Sequence, residues 1–368
     1  MHLYLHIPFC ARRCSYCDFA IAVRRDAPSQ AFVDSIEREW AAWQSHSSWA
    51  EAPVLDSIYF GGGTPSRLDP AAIARLLAMA VRDRAVSPGA EITLEANPDD
   101  VSARRAAAWR SAGVNRISLG AQSFEPAVLT WMHRTHDAGQ IGAAVATLRA
   151  AGFENISLDL IYAIPSVLGR DWAHDLDRAL ALEPEHLSLY GLTVEPRTPL
   201  GKWTARGESL PAADDRAAEE YLMAHDRVGA AGFDHYEVSS AGRPGFRGRH
   251  NSAYWRRAPF IGLGPSAHSG FGAERAWNVR DWEEYRRRGD AGLPVRAESE
   301  ILTDEQIRLE EIYLGLRTSD GLPLAYLPAE PVTRWIGAGW AKSLRGRLVL
   351  TPEGWLRLDA LVASLSHC

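Results

Sequence analysis

The feature that most constrains this chain is an alternation of strand-like and helix-like segments. β-rich runs recur as LYLHIPF (3–9), SIYFGGG (57–63), EITLEANP (91–98), RISLGAQS (116–123), ISLDLIY (156–162) and HLSLYGL (186–192), with helical periodicity between them. A strand that returns through a helix pairs in parallel with its predecessor, by a right-handed crossover. Gly113, Gly152 and Gly232 each follow a small-residue pair and precede the next strand, where a left-handed cap ends a helix. Their uneven spacing marks repeated βα units, not a solenoid. The predicted fold class is therefore α/β, a partial (β/α)6 TIM-like barrel, with a further extended segment at HYEVSS (235–240).

Barrels of this kind place chemistry at the C-terminal ends of their strands. Cys10, Gly61 to Gly63, Glu95, Gln122, Asp159 and Tyr190 all fall there. Beyond the barrel (1–240) the pattern breaks into a segment (241–290) holding the Arg-rich loop GRPGFRGRHNSAYWRR and then IGLGPSAHS. From 291 to 368 a small α+β, winged-helix-like domain is predicted. Thr303 opens a helix in LTDEQIRLEEIYLGLR, and LRGRLVLTPEGWLRLDALVASL reads as a hairpin followed by a helix.

Composition removes several classes of function. A net charge of -6 without a basic block argues against nucleic acid. No apolar run approaches the roughly 20 residues that span a bilayer, so no membrane span is expected. The cysteines begin nine residues in, with no basic and apolar leader before them, which predicts a cytoplasmic protein with reduced thiols. Thirteen tryptophans include Trp40, Trp43 and Trp49 near one helical stretch, read as core packing rather than a partner surface.

Three of the four cysteines lie within eight residues, as Cys10, Cys14 and Cys17 in CxxxCxxC. A zinc site would want a fourth Cys or His. A disulfide would suit an oxidising compartment, and buried cysteines can also act as small hydrophobes. Thiolates this close can instead hold three irons of a cubane, leaving the fourth iron open to an exogenous amino and carboxylate group.

Tyr4, the three cysteines, FGGGTP (60–65), EANP (95–98), LGAQSF (119–124), Arg134 and Asp159 occur in an order that resembles the coproporphyrinogen dehydrogenase-like radical S-adenosylmethionine family over essentially the whole chain. The resemblance implies a 4Fe-4S cluster on Cys10, Cys14 and Cys17, with S-adenosylmethionine on its open iron. Gly62, Gly63 and Thr64 would meet the cofactor's amino group, because glycine lets backbone approach a ligand closely. Glu95 and Asp159 would accept hydrogen bonds from ribose hydroxyls or the ammonium group, Gln122 and Arg134 would donate to ribose or carboxylate oxygens, and Tyr4 would lie over the methionine. Thr193 and IGLGPSAHS would approach the adenine.

Two features point within the family to its HemW branch of haem chaperones. The dehydrogenases continue CxxxCxxCxC, whereas Phe19 occupies that fourth-cysteine position, and the N-terminal extension they use around the active site is not expected here. His250-Asn251-Ser252-Ala253-Tyr254-Trp255 matches the branch's HNxxYW signature. Imidazole is a natural axial ligand for haem iron, so His250 is the candidate ligand, with His268 as a second. Arg243, Arg247, Arg249, Arg256 and Arg257 crowd the motif and could pair with haem propionates. The resemblance thus implies a chaperone that binds haem, the cluster and S-adenosylmethionine and passes haem to acceptor haem proteins, respiratory ones among them, with an electron donor as a further partner. The alternatives it leaves open are an oxygen-independent coproporphyrinogen III dehydrogenase and a radical tetrapyrrole methyltransferase or haem-degrading relative.

Overall fold

The computed structural model describes residues 1–46 and 54–365; Trp49 and Cys368 lie outside them. Its first strands are β1 (His2–Ile7), β2 (Phe9–Cys10), β3 (Ala22–Val23), β4 (Val54–Gly62), β5 (Ala85–Ala96), β6 (Arg116–Gln122), β7 (Ile156–Tyr162) and β8 (His186–Gly191). The six β-rich runs are β1 and β4 to β8, and they pair in parallel in that order. HYEVSS contributes most of β9 (Asp234–Glu237) and the first residue of β10 (Ser240–Gly242), antiparallel strands at one end of the sheet. At the other end β11 (Phe260–Leu263) lies parallel to β1, and β12 (His268–Phe271), β13 (Glu274–Asn278) and β14 (Arg296–Ile301) follow antiparallel. Among the described residues this makes one twelve-stranded open sheet, a partial TIM-like barrel. The segment 241–290 thus supplies strands of the barrel sheet itself, which runs on to Ile301.

Alternation along the strands sorts side chains into two environments. Leu3, Leu5, Ile58, Phe60, Leu94, Ile117, Leu119, Leu158 and Leu187 belong to one buried cluster with helix residues such as Phe32, Trp40, Leu76, Trp109, Ile141 and Leu176. Each such burial stabilises by about 1.5–3 kcal/mol. The other set is polar: His2 and Tyr4 in β1, Ser57 and Tyr59 in β4, Glu91 and Glu95 in β5, Arg116 and Ser118 in β6, Ser157 and Asp159 in β7, His186 and Ser188 in β8. Register aligns them, Tyr4 beside Tyr59, Glu95 beside Ser118 and Asp159 beside Ser188. The helices cover the apolar face, and the barrel's concave face is polar.

Helix ends follow local chemistry. Asp69 caps the helix Pro70–Asp83 through the Ala71 N–H at 2.9 Å, and Gly113 ends Ala103–Ala112 at φ 109°. Thr303 and Gln306 form a capping box on Asp304–Leu316. That helix packs with β15 (Leu322–Pro323), β16 (Ala341–Leu344) and β17 (Arg347–Leu350), in sheet order β15-β17-β16, and with the helices Ala329–Gly337 and Leu358–Leu365 around Trp335 and Trp355. Tyr221, from the helix Asp214–Ala230, joins this second core and ties it to the barrel. No described helix is long and apolar enough to cross a membrane.

Candidate functional site

The cysteine loop is pinned at both ends and in the middle. β2 and β3 pair with Phe9 opposite Ala22 and Cys10 opposite Val23; the Arg24 N–H donates to the Cys10 carbonyl at 3.0 Å. Between them the Ser15 N–H donates to the Met132 carbonyl at 3.1 Å, and the Ser15 carbonyl accepts from the Leu200 N–H at 2.8 Å. Cys10, Cys14 and Cys17 are free thiols on one wall of a cavity of about 590 Å³ at the C-terminal ends of the strands. Burial pushes the Cys10 thiol up to about 11 and raises Cys17 in the same direction. Such thiols ionise against a nearby positive charge, which a bound metal supplies. Among the described residues no three His, Cys, Asp or Glu side chains are placed to share a single metal ion. A cubane makes no such demand, because each iron takes its own thiolate.

The turn after β4 brings backbone against this loop. The Gly63 N–H donates to the Ile7 carbonyl at 2.7 Å, and a Cβ on Gly63 would stand 2.8 Å from Pro8 and 3.0 Å from Cys10 Sγ. Gly62 sits at φ 113°, the left-handed region that glycine alone enters without strain, and its N–H donates to Glu95 Oε2 at 3.0 Å. Thr64 Oγ1 donates to Cys10 Sγ at 3.4 Å.

Across the cavity stand carboxylates without cations. Glu95 Oε1 accepts from the Tyr59 hydroxyl at 2.9 Å, and burial pushes its carboxyl up to about 7 against those hydrogen bonds. Asp159 accepts from the Ser118 hydroxyl at 3.0 and 3.1 Å and is likewise raised by burial. Neither has an ion-pair partner within 4.0 Å among the described residues, so this wall offers acceptors to any ligand bearing hydroxyl or ammonium donors. Arg134 Nη2 donates to Asn97 Oδ1 at 2.7 Å and to the Gly120 carbonyl at 2.8 Å, and Nη1 lies 3.6 Å from Cys14 Sγ. Its Nε is buried without a partner. The donor set thus fits a cluster on the thiol wall and a small zwitterion between the walls.

Ten residues expected from the sequence line this one cavity: Cys10, Cys14, Cys17, Gly62, Gly63, Thr64, Glu95, Gln122, Arg134 and Asp159. Thr193 and Tyr190 line it as well. Tyr4 lies behind it, its hydroxyl 3.1 Å from His6 Nδ1 and its ring stacked on Tyr59. Tyr4 lines an adjoining cavity of about 430 Å³ with Ser266 and His268, which shares Gly62 and Glu95 with the first. Phe19 lines both cavities and is 62% exposed.

His250 is placed differently from the axial-ligand expectation. It is 1% exposed, with Nδ1 2.7 Å from Ser57 Oγ and Nε2 2.7 Å from the Tyr254 hydroxyl. Neither nitrogen is free for a haem iron. The reason lies in its helix, Arg249–Trp255, whose first N–H groups, of Arg249 and His250, donate to the Glu91 carboxylate at 2.9 and 3.0 Å and draw the motif into the polar barrel interior. Ser118, Arg116 and Glu91 escaped the sequence reading, although polar residues at every second position of otherwise apolar strands are the visible mark of a polar lumen.

Residues 4–179 match the Radical SAM superfamily. The chain is 39% identical to the heme chaperone HemW of Mycobacterium tuberculosis over 99% of its own length and 94% of that protein's. It is 34% identical to the heme chaperone HemW of Bacillus subtilis over 87% of this chain and 84% of the other. Its fold is similar to that of coproporphyrinogen III oxidase (HemN) from Escherichia coli, with a TM-score of 0.80 at 22% identity over 99% of this chain and 89% of that one.

Proposed function

The chain belongs to the HemW family of the radical S-adenosylmethionine superfamily, and from that membership we propose that it is a haem chaperone carrying a 4Fe-4S cluster and S-adenosylmethionine. The observation that carries the cofactor part is the single cavity with three free thiols on one wall and two cation-free carboxylates on the other. Cys10, Cys14 and Cys17 would hold three irons. Gly62, Gly63 and Thr64 would bring backbone to the cofactor's amino end, and Glu95, Gln122 and Asp159 would bind its hydroxyls. When bound, the cluster supplies an electron to the sulfonium and so a route to radical chemistry. Arg134 would steady the cysteine loop beside Cys14 and meet the carboxylate, and Tyr4 would close the wall behind Glu95. The chain would work in a reducing compartment such as the cytoplasm, taking haem as cargo and handing it to acceptor haem proteins.

The test is anaerobic reconstitution with iron and sulfide, followed by S-adenosylmethionine and hemin titrations and by transfer of the bound haem to a haem-free b-type haem protein. Formation of the cluster, binding of both ligands and transfer support the reading. Conversion of coproporphyrinogen III to protoporphyrinogen IX by the reduced, loaded protein would replace it with the dehydrogenase alternative.

A further inference from the structure

A second cleft lies on the opposite side of the Arg249–Trp255 helix, where the barrel meets the C-terminal unit. It has a volume of about 480 Å³, within the range of small-molecule sites. Its lining carries five arginines, Arg247, Arg249, Arg256, Arg257 and Arg347, against two carboxylates, Glu311 and Asp320, on a chain whose net charge is -6. Two of the arginines are already matched: Arg247 pairs with Asp234 and Asp320, and Arg257 with Glu310 and Glu311. Among the described residues the Arg249 guanidinium meets only the Gly89 carbonyl, and that of Arg347 only the carbonyls of Asp320 and Gly321. Arg256 is exposed, and its guanidinium makes no hydrogen bond or ion pair among the described residues. Arg243, by contrast, turns away to the Pro184 carbonyl and the Phe233 ring.

Beside these cations the cleft has an apolar stretch. Trp255, Leu322, Pro323 and Tyr326 line it, and the Trp255 Nε1–H is buried without a partner. The Arg317 guanidinium covers the Trp255 ring, 4.2 Å from its centroid. Unmatched guanidiniums beside an aromatic floor suit a planar, mostly apolar molecule carrying carboxylates. We infer that this cleft is the haem-holding site, with Arg249 and Arg256 pairing the two propionates and Trp255 with Leu322 and Pro323 supporting the ring. This rests on the haem-chaperone reading above. The helix that supplies Arg249, Ser252, Trp255 and Arg256 to the cleft turns Tyr254 into the adjoining cavity beside Tyr4 and Glu95, so one element lies between the cleft and the cavity next to the cofactor wall.

The test titrates hemin, metal-free protoporphyrin IX and protoporphyrin IX dimethyl ester into the full chain and into Arg256→Glu and Arg249→Glu/Arg256→Glu variants. Cluster content and circular dichroism report that each variant is folded, and the exposed single substitution at Arg256 keeps the test valid if the double variant fails to fold. Expected is a weakening of hemin binding by about ten-fold or more in the variants, and a similar weakening for the ester against the free acid in the wild type. Equal hemin affinity in wild type and variants, or equal affinity for ester and acid, overturns the cleft assignment and leaves the chaperone reading intact. Failure of the wild type to bind hemin at all overturns both.

Discussion

His250 Nε2 lies 2.7 Å from the Tyr254 hydroxyl, one turn further along the same short helix. His250 also approaches Ser57 on β4, and its ring lies 5.0 Å from that of Tyr59, so it joins the helix to the barrel wall. His250→Ala removes that joint, takes the His250 partner from the Tyr254 hydroxyl, leaves the Ser57 hydroxyl with only His2 among the described residues, and opens a cavity. The expected cost is roughly 2–4 kcal/mol, read from urea denaturation. An unchanged midpoint would show that the ring carries no structural share. Loss of haem by this variant has to be judged against its stability, since weakened packing of the helix would disturb the cleft on its other side.

Gly63→Ala should act on the cluster without touching a ligand residue. The added methyl has Pro8 on one side and Cys10 Sγ on the other, each at or inside 3.0 Å, and one of them has to move. We expect the iron and sulfide retained after anaerobic reconstitution to fall to roughly half or less, with a stability loss of about 1–3 kcal/mol. Cys14→Ala should abolish the cluster, because two thiolates do not hold a cubane stably. Full iron content in Gly63→Ala would mean that the Gly63 turn yields more readily than its contacts indicate.

What could be read from the sequence was what neighbouring residues decide among themselves. The six parallel strands, the glycine stops at 113, 152 and 232 and the Thr303 cap are local, and all appear in the fold. The ordered cofactor motifs met in one cavity because a parallel sheet brings the same end of every strand to the same face. The strands β11 to β14 were not legible: β11 to β13 have only four or five residues, and β11 finds its place by pairing with β1, from the opposite end of the chain. Nor was the burial of His250, which depends on Glu91 catching two N–H groups from a helix some 160 residues later in the chain.

Acid should destabilise the protein through its histidines. His2, His6, His136 and His235 are lowered to about 4, chiefly by burial. The unfolded chain therefore binds more protons than the folded one between about pH 6.5 and about 4, and stability falls as pH drops through that window. Glu39 works the other way. Held by the Tyr285 hydroxyl and by N–H donors from Gly264 and Asn278, it is pushed up by burial to about 7, so its contribution is fully present below its unfolded value near 4.5 and is lost as pH rises through 7. Glu39→Gln should gain on the wild type by of order 2 kcal/mol on going from acid to neutral pH, making the variant's acid loss steeper. Parallel stability curves for the two proteins would contradict the assignment.

Glu95 gives the cofactor cavity its own pH dependence. Its two oxygens already accept from the Tyr59 hydroxyl and the Gly62 N–H, and the remaining lone pairs face the cavity as acceptors for a ligand's hydroxyl or ammonium donors. Only the ionised carboxylate offers all of those positions, since a protonated one turns a donor toward one of them. With the free carboxyl pushed up to about 7, S-adenosylmethionine affinity of the cluster-loaded protein should rise with pH through 7 and level off above it. Below that value binding has to expel a proton and should weaken by up to about ten-fold per pH unit. Glu95→Gln keeps the shape but removes the charge and replaces one acceptor oxygen with an NH2 donor. It should bind about ten-fold or more weakly at pH 8 and lose the dependence near 7. Equilibrium titrations at about pH 6 and about pH 8 separate these outcomes. A wild-type affinity that is flat across the range, or a Glu95→Gln variant that still follows the same pH curve, would remove Glu95 from the binding wall.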